Sequence, residues 1–276
     1  MQFKLWLEST ARKCMLKISK PNEKIPHWNF NLPAGFTCPF AKNCLSKAER
    51  KTGKITDAPG IDFRCYAASQ ESTYPSVRTS RWDNFEALKA IGFTDVDGMA
   101  QAIMDAIHYT LPRSEHIFRL HVGGDFFNKY YLQAWIKVAK NNPEIKFYTY
   151  TKSIPYLIEN LPLPENLLVT VSKGGKYDDL IQKHNLKFSV VAMSEKEAEE
   201  YVWTDASGET HTGLEIDHDD SHAWKDDKPF ALLIHGVQPA GSEAGKAVRE
   251  LGGKGSYGKA SREKLKKIEL QQMEPE

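Results

Sequence analysis

Residues 116–127 read HIFRLHVGGDFF. An apolar stretch, 116–122, has the alternation and β-branched content of a strand. It runs straight into Gly123-Gly124-Asp125. Residues 130–140 then place Leu132, Trp135, Ile136 and Ala139 on one helical face, and Asn141-Asn142-Pro143 stops the helix. The next strand is KFYTYT, 146–151. The same unit repeats downstream. A short helix over 154–159 follows Ser153, strand 167–172 (LLVTVS) leads into Lys173-Gly174-Gly175, and a helix spans 177–184. Strand 187–192 (KFSVVA) is followed by helix 194–201, with Ser194 as its N-cap. Strands alternating with helices imply right-handed crossovers and a parallel sheet. The expected fold is α/β, a partial (β/α) barrel of parallel strands with N-terminal strands and a cysteine-bearing insertion. A doubly wound open sheet is the competing arrangement. In both, ligands bind at the carboxyl ends of the strands, where the Gly-rich turns fall.

Upstream, residues 3–19 alternate apolar and polar side chains as two short strands would, and Cys14 among them reads as a small buried thiol or a distant fourth metal ligand. His27 and Trp28 precede NFNLPAG, whose Pro33 and Gly35 mark a turn. Then comes FTCPFAKNCLSKAERKTGKITDAPGIDFRCYAA, 36–68, holding Cys38, Cys44 and Cys65 with gaps of five and twenty residues. A short helix is expected over 45–51, another from Tyr66 limited by Pro75, and one over 83–90 with Asp83 as N-cap and Gly92 as stop. A further helix runs from Asp95 or Asp97 to His108, with Met99, Ile103, Met104 and Ile107 on one face. Downstream, 202–228 is polar and turn-rich, 230–235 (FALLIH) is a last strand, and a helix covers 243–251. These limits predict one cysteine-bearing α/β domain over 1–252 and a charged surface tail over 253–276.

The chain has 276 residues, 41% hydrophobic and 26% charged, with net charge +1. That balance does not indicate a strong general affinity for nucleic acid or anionic membrane, although local basic patches remain able to bind nucleic acid. No apolar run reaches the roughly 18 residues of a membrane span, and the N-terminus lacks the apolar core of a secretory signal. A cytoplasmic location is expected, where thiols stay reduced. Clustered cysteines there are metal ligands or catalytic groups more often than disulfides. Structural zinc takes four ligands, commonly in close pairs, and no CxxC pair is present. Iron–sulfur clusters are held by thiolates; three would leave one iron of a [4Fe–4S] cluster open or would suit a [3Fe–4S] cluster. Lys42, Lys47, Arg50, Lys51, Lys54 and Arg64 lie among the cysteines and would offset a cluster's negative charge.

Other stretches carry weaker signals. Asp125 either accepts hydrogen bonds from an amine or caps the following helix. Glu215, Asp217, His218, Asp219, Asp220 and His222 suit a metal-dependent hydrolase or a solvated loop. The segment IHGVQPAGSEAGKA, 234–247, holds an anion at a helix N-terminus or is an ordinary turn, with His235 facing the same pocket as His121. Basic and aromatic residues over 78–82 (RTSRW) and in the tail would serve a zinc-stabilised nucleic-acid-binding module.

Three early cysteines, the last beside an aromatic residue, followed by strand-GGD and, one helix later, strand-TYTKS, resemble the radical S-adenosylmethionine (SAM) superfamily. Residues 37–44 and 65–67 also resemble phage proteins with a TCPxAxxC…CYA pattern. The similarity spans about 30–195. The resemblance implies a [4Fe–4S] cluster on Cys38, Cys44 and Cys65, and the SAM amine at Gly123, Gly124 and Asp125. Thr151, Lys152 and Ser153 would lie near the ribose. It also implies an oxidoreductase or lyase acting on a small molecule or with a redox partner. In that superfamily the cysteine gaps are three and two, the turn ends in Glu, and a long apolar strand precedes the first cysteine. Here the gaps are five and twenty and the turn ends in Asp125.

Overall fold

The computed structural model describes residues 16–257. Cys14 and the first of the two N-terminal strands expected from sequence lie outside the described residues, as do residues 258–276.

The central element is an eight-stranded sheet ordered β1 (Ile18–Ser19), β2 (Trp28–Phe30), β5 (Ile117–Leu120), β6 (Lys146–Thr151), β7 (Leu167–Ser172), β8 (Phe188–Ala192), β12 (Phe230–Leu233) and β11 (Glu215–Asp217). Every neighbouring pair is parallel except β1 with β2. The mixed α/β fold with a mostly parallel sheet is therefore present as the βα period required. Between the strands lie α4 (Lys129–Lys140), α5 (Ile154–Ile158), α6 (Asp179–Lys183) and α7 (Glu195–Glu199).

Three helices precede β5: α1 (Tyr66–Thr73), α2 (Pro75–Ile91) and α3 (Val96–Thr110). Met99, Ile103 and Ile107 of α3 and Leu132 and Trp135 of α4 pack on Phe118, Leu120 and Phe147 of the sheet, all within 1% of complete burial. Each such side chain contributes about 1.5–3 kcal/mol of transfer free energy on leaving water. Asp95 caps α3 by accepting from the Gly98 amide, and Asn128 caps α4 by accepting from the Tyr131 amide.

Several local expectations change. The helix expected over 45–51 is a hairpin, β3 (Ser46–Ala48) against β4 (Ile55–Asp57). Ser46 and Ala48 are buried while Lys47 between them is exposed, the two-residue period of a strand. Helix α2 begins at Pro75, not Asp83; proline suits the first helical turn, and Asp83 sits mid-helix in an ion pair with Lys17. Gly92 does end it. The polar stretch 202–228 contains a hairpin, β9 (Val202–Thr204) with β10 (Thr210–Thr212), then β11 and α8 (Ser221–Lys225). Helix α9 (Glu243–Leu251) follows β12. The tail expected to lie on the surface from 253 starts inside the fold: Ser256 is fully buried, bonded to Leu233 and Asp217, and Tyr257 is buried beside it. No helix among the described residues is long and apolar enough to cross a membrane.

Candidate metal centre

Each cysteine is held by a different piece of chain. Cys38 follows β2 through the turn LPAG. Gly35 in that turn has φ +72°, and a Cβ there would lie 2.3 Å from the Ser46 carbonyl oxygen, so glycine is required. The Gly35 amide donates to Cys38 Sγ at 3.3 Å. The loop bearing Cys44 is tied to the Gly-rich turn after β7: the Lys42 and Asn43 amides donate to the Gly174 carbonyl at 3.2 and 3.0 Å. Cys65 is the N-cap residue of α1, and its own amide donates to Ser46 Oγ.

These three thiols, separated by five and twenty residues, line one cavity of about 150 Å³. Gly123, Gly124, Asp125, Thr151 and Lys152 line the same cavity, as do His121 and His235. Ser153 does not. It is buried behind the wall, its hydroxyl donating to the Phe126 carbonyl and its amide accepted by Thr151 Oγ1. All three cysteines are free thiols. Burial, then the Asp125 charge, then Cys65, push the Cys38 thiol well above its ordinary value. Burial and Cys44 push Cys65 up to about 12, against the α1 amides that favour the thiolate. A bound cationic metal core would reverse this penalty, since metal ligation deprotonates thiols. Among the described residues Asp125 is the carboxylate in the cavity lining, and the basic Lys152, Arg64 and Arg119 stand around it.

The two glycines of the turn serve packing. A Cβ on Gly123 would lie 2.5 Å from Cζ of Arg81, so the guanidinium rests against the bare Cα. Gly124, at φ +91°, faces Leu32 and Thr37, each 2.7 Å from a notional Cβ. Asp125 does not cap the following helix; Asn128 does. Its carboxylate instead accepts from Thr151 Oγ1 at 2.5 Å, the Phe126 amide at 2.7 Å and the Lys152 amide at 2.8 Å. A carboxylate offers about four acceptor positions, so one remains. Burial raises the Asp125 pKa to about 6 against those bonds. Lys152 Nζ is anchored to Ser172 Oγ and to the carbonyls of Ser172 and Lys173.

The acidic run divides between two networks, and it is not a solvated loop. Asp217 and Asp220 are fully buried. Asp217 accepts the Asp219 and His222 amides, and Glu215 accepts from His222 Nε2 at 2.9 Å. Asp220 turns to the sheet. There it pairs with Arg119 and accepts from Tyr148 at 3.1 Å, Tyr150 at 2.8 Å, and Tyr257. Sequence reading missed this network; Tyr148 and Tyr150 two apart on one strand, next to the Arg119 strand, were its one local signal. Among the described residues, the three ligand-type groups within 4.8 Å of one another are Asp205, Glu209 and His211, in the β9–β10 hairpin rather than in this run. In 78–82, Arg78 and Arg81 are buried in structural contacts. Arg78 donates to the Arg50 and Glu71 carbonyls, and Arg81 pairs with Glu71. Trp82 packs on Phe36 and under Arg50.

Fold and cavity together define a mostly parallel α/β protein with a three-cysteine pocket at the carboxyl end of its sheet. The chain belongs to the family described as Gene product 88, whose model matches residues 6–251. It is similar to the Gene 88 proteins of Mycobacterium phages L5 and D29, 28% identical to each over 131 residues, or 45% of this chain and 47% of each relative. The chain thus spans about half the length of the curated relatives it matches. No solved structure matches it.

Proposed function

We propose that this chain binds an iron–sulfur cluster through Cys38, Cys44 and Cys65 and acts on a small molecule beside it. One observation carries the reading: three thiols from three chain segments meet in one cavity with Asp125, Thr151 and Lys152. Thiolate ligands select zinc, copper(I) or iron–sulfur centres. A lone zinc ion draws its donors close around one point. Among the described residues, no group of three ligand atoms within 4.8 Å includes a cysteine. Thiols that share a cavity at wider separation suit the corners of a cluster, with [4Fe–4S] favoured and [3Fe–4S] the alternative.

The sheet supports a finer reading, a partial (β/α) barrel. Strands β2, β5, β6, β7, β8 and β12 lie side by side in sequence order, as barrel strands do; β11 departs from it, pairing in parallel outside β12 at the sheet's edge. Strand β2, three residues long, stands where the resembled superfamily has a long apolar strand before its first cysteine. S-adenosylmethionine is the proposed co-substrate, with Asp125's remaining acceptor position taking its amine. When bound, the cluster supplies the electron for reductive cleavage of SAM. The chain's part is to hold the thiolates, orient the ligand through Asp125, which Thr151 and the Lys152 amide fix in place, and exclude water. Ser153 acts from behind, by fixing Thr151.

Anaerobic purification tests the reading. A brown protein with iron and acid-labile sulfide, bleached by dithionite, is expected, and Cys38→Ser, Cys44→Ser or Cys65→Ser should each lose iron. A colourless protein with stoichiometric zinc under strict anaerobiosis would refute the cluster. SAM binding to wild type but not to Asp125→Ala is expected; failure of wild type to bind SAM removes the co-substrate and leaves the cluster standing.

A further inference from the structure

A second, larger cavity of about 690 Å³ lies between the β1–β2 loop, helices α1 and α2, and the segment after β12. Small-molecule sites typically enclose about 300–1,000 Å³. It adjoins the cysteine cavity, and the two share Tyr66, Arg119, Val122, Ile234, His235 and Tyr257.

The charge on its wall is one-sided. None of the described lining residues is Asp or Glu, while Lys24, Arg81 and Arg119 all belong to the lining. Glu71 and Asp220, the carboxylates that pair with the two arginines, are not part of it. The lining therefore includes two guanidiniums and leaves out the carboxylates that they pair with. Arg81 and Arg119 are each 3% exposed. The Nε–H of each is buried without a hydrogen-bond acceptor. Such an unmet donor costs about 1–3 kcal/mol. The remaining polar wall is neutral, with hydroxyls and amides such as Ser69, Ser80 and Gln70.

We infer that this cavity is the substrate chamber and that it takes an anionic small molecule bearing a carboxylate or phosphate group. A cationic ligand would find no counter-charge there. Its role as substrate site rests on the proposed metal centre next door; its preference for anions rests on its own wall. Arg81 links the two, since its guanidinium lies against Gly123 of the turn beside the cysteines.

Calorimetric titration of the anaerobically purified full chain tests this with two matched pairs of probes: AMP against adenosine, and citrate against glycerol. At least one anion should bind about ten-fold or more tightly than its neutral counterpart, one decade of Kd. Which pair shows the difference separates a phosphate from a carboxylate. Lys24→Gln, on an exposed loop, should weaken that anion about ten-fold with iron content unchanged, and Ser80→Trp should block it. The inference is overturned by equal affinity for the neutral probes, by no binding of either anion, or by an affinity indifferent to both variants. Displacement of the bound anion by SAM also overturns it, because the chamber would then be the co-substrate's own. Loss of the cluster reading is a separate result: anion binding persists in protein that contains no iron or sulfide.

Discussion

Arg119 on β5 and Asp220, 101 residues later in the turn before α8, form an ion pair in which both side chains are at most 3% exposed. Asp220 adopts φ +70°, a left-handed conformation uncommon for residues other than glycine. Four donors from β5, β6 and residue 257 converge on its carboxylate. Removing one member of a buried pair leaves the other charge without compensation, at about 3–5 kcal/mol. Asp220→Ala should lower the free energy of chemical denaturation by that amount. Tyr150→Phe, which deletes one hydrogen bond to a charged group, should cost about 1.5–3 kcal/mol. A near-neutral Asp220→Ala would show that the network does not hold the sheet to the C-terminal segment.

Gly124 offers a sharper steric test. A Cβ there would press on Leu32 and Thr37 at 2.7 Å with φ at +91°. Gly124→Ala should destabilise by about 1–3 kcal/mol from backbone strain alone. Thermal melting read by circular dichroism is sufficient. Gly60, at φ +72° but with nothing within 4 Å of a notional Cβ, is the control; Gly60→Ala should cost less.

His222 gives stability a definite pH dependence. The Asp217 carboxylate, and after it Glu215, hold its pKa up at about 9 against burial. A folded pKa above the unfolded value of 6.5 means the contribution is complete below that pH and disappears as pH rises through about 9. Denaturation midpoints of wild type minus His222→Gln should therefore shrink from pH 6.5 to 9. A difference that stays constant or grows over that range would contradict the pairing.

Glu71 joins the first cysteine's loop to the helices. Its Oε1 accepts the Ala34 amide at 2.8 Å and pairs with Arg81 at 2.7 Å. Glu71→Ala should destabilise by about 3–5 kcal/mol, as removal of a partner from a buried pair does. It should also speed amide exchange through 34–44 more than through α4. Equal protection changes in both regions would mean that the pair has no local hold on the loop.

The strands at 146–151 and 167–172 were readable to the residue, because a buried parallel strand is a dense β-branched and aromatic run and its period is local. The Ser194 cap and the Gly92 stop were readable for the same reason: each satisfies or frees backbone groups within one turn. Strand β2 was not, since three residues carry no measurable period and only pairing with β5 makes Trp28–Phe30 a strand. The β3–β4 hairpin shows the same limit: Lys47, Arg50 and Lys51 resemble a helix's exposed face until Ser46 and Ala48 are seen to be buried.

At the site, residue types singled out Cys38, Cys44 and Cys65, and the resemblance added Gly123, Gly124, Asp125, Thr151 and Lys152; all of these line one cavity. What the chain alone did not disclose is why they stand as they do. The glycines admit Arg81, Leu32 and Thr37, Ser153 is a support rather than a contact, and Asp220 belongs to Arg119 and three tyrosines rather than to its acidic neighbours. Composition and periodicity act over a turn or a strand. A buried charge is governed by whichever opposite charge the fold brings to it, and that partner lay a hundred residues away.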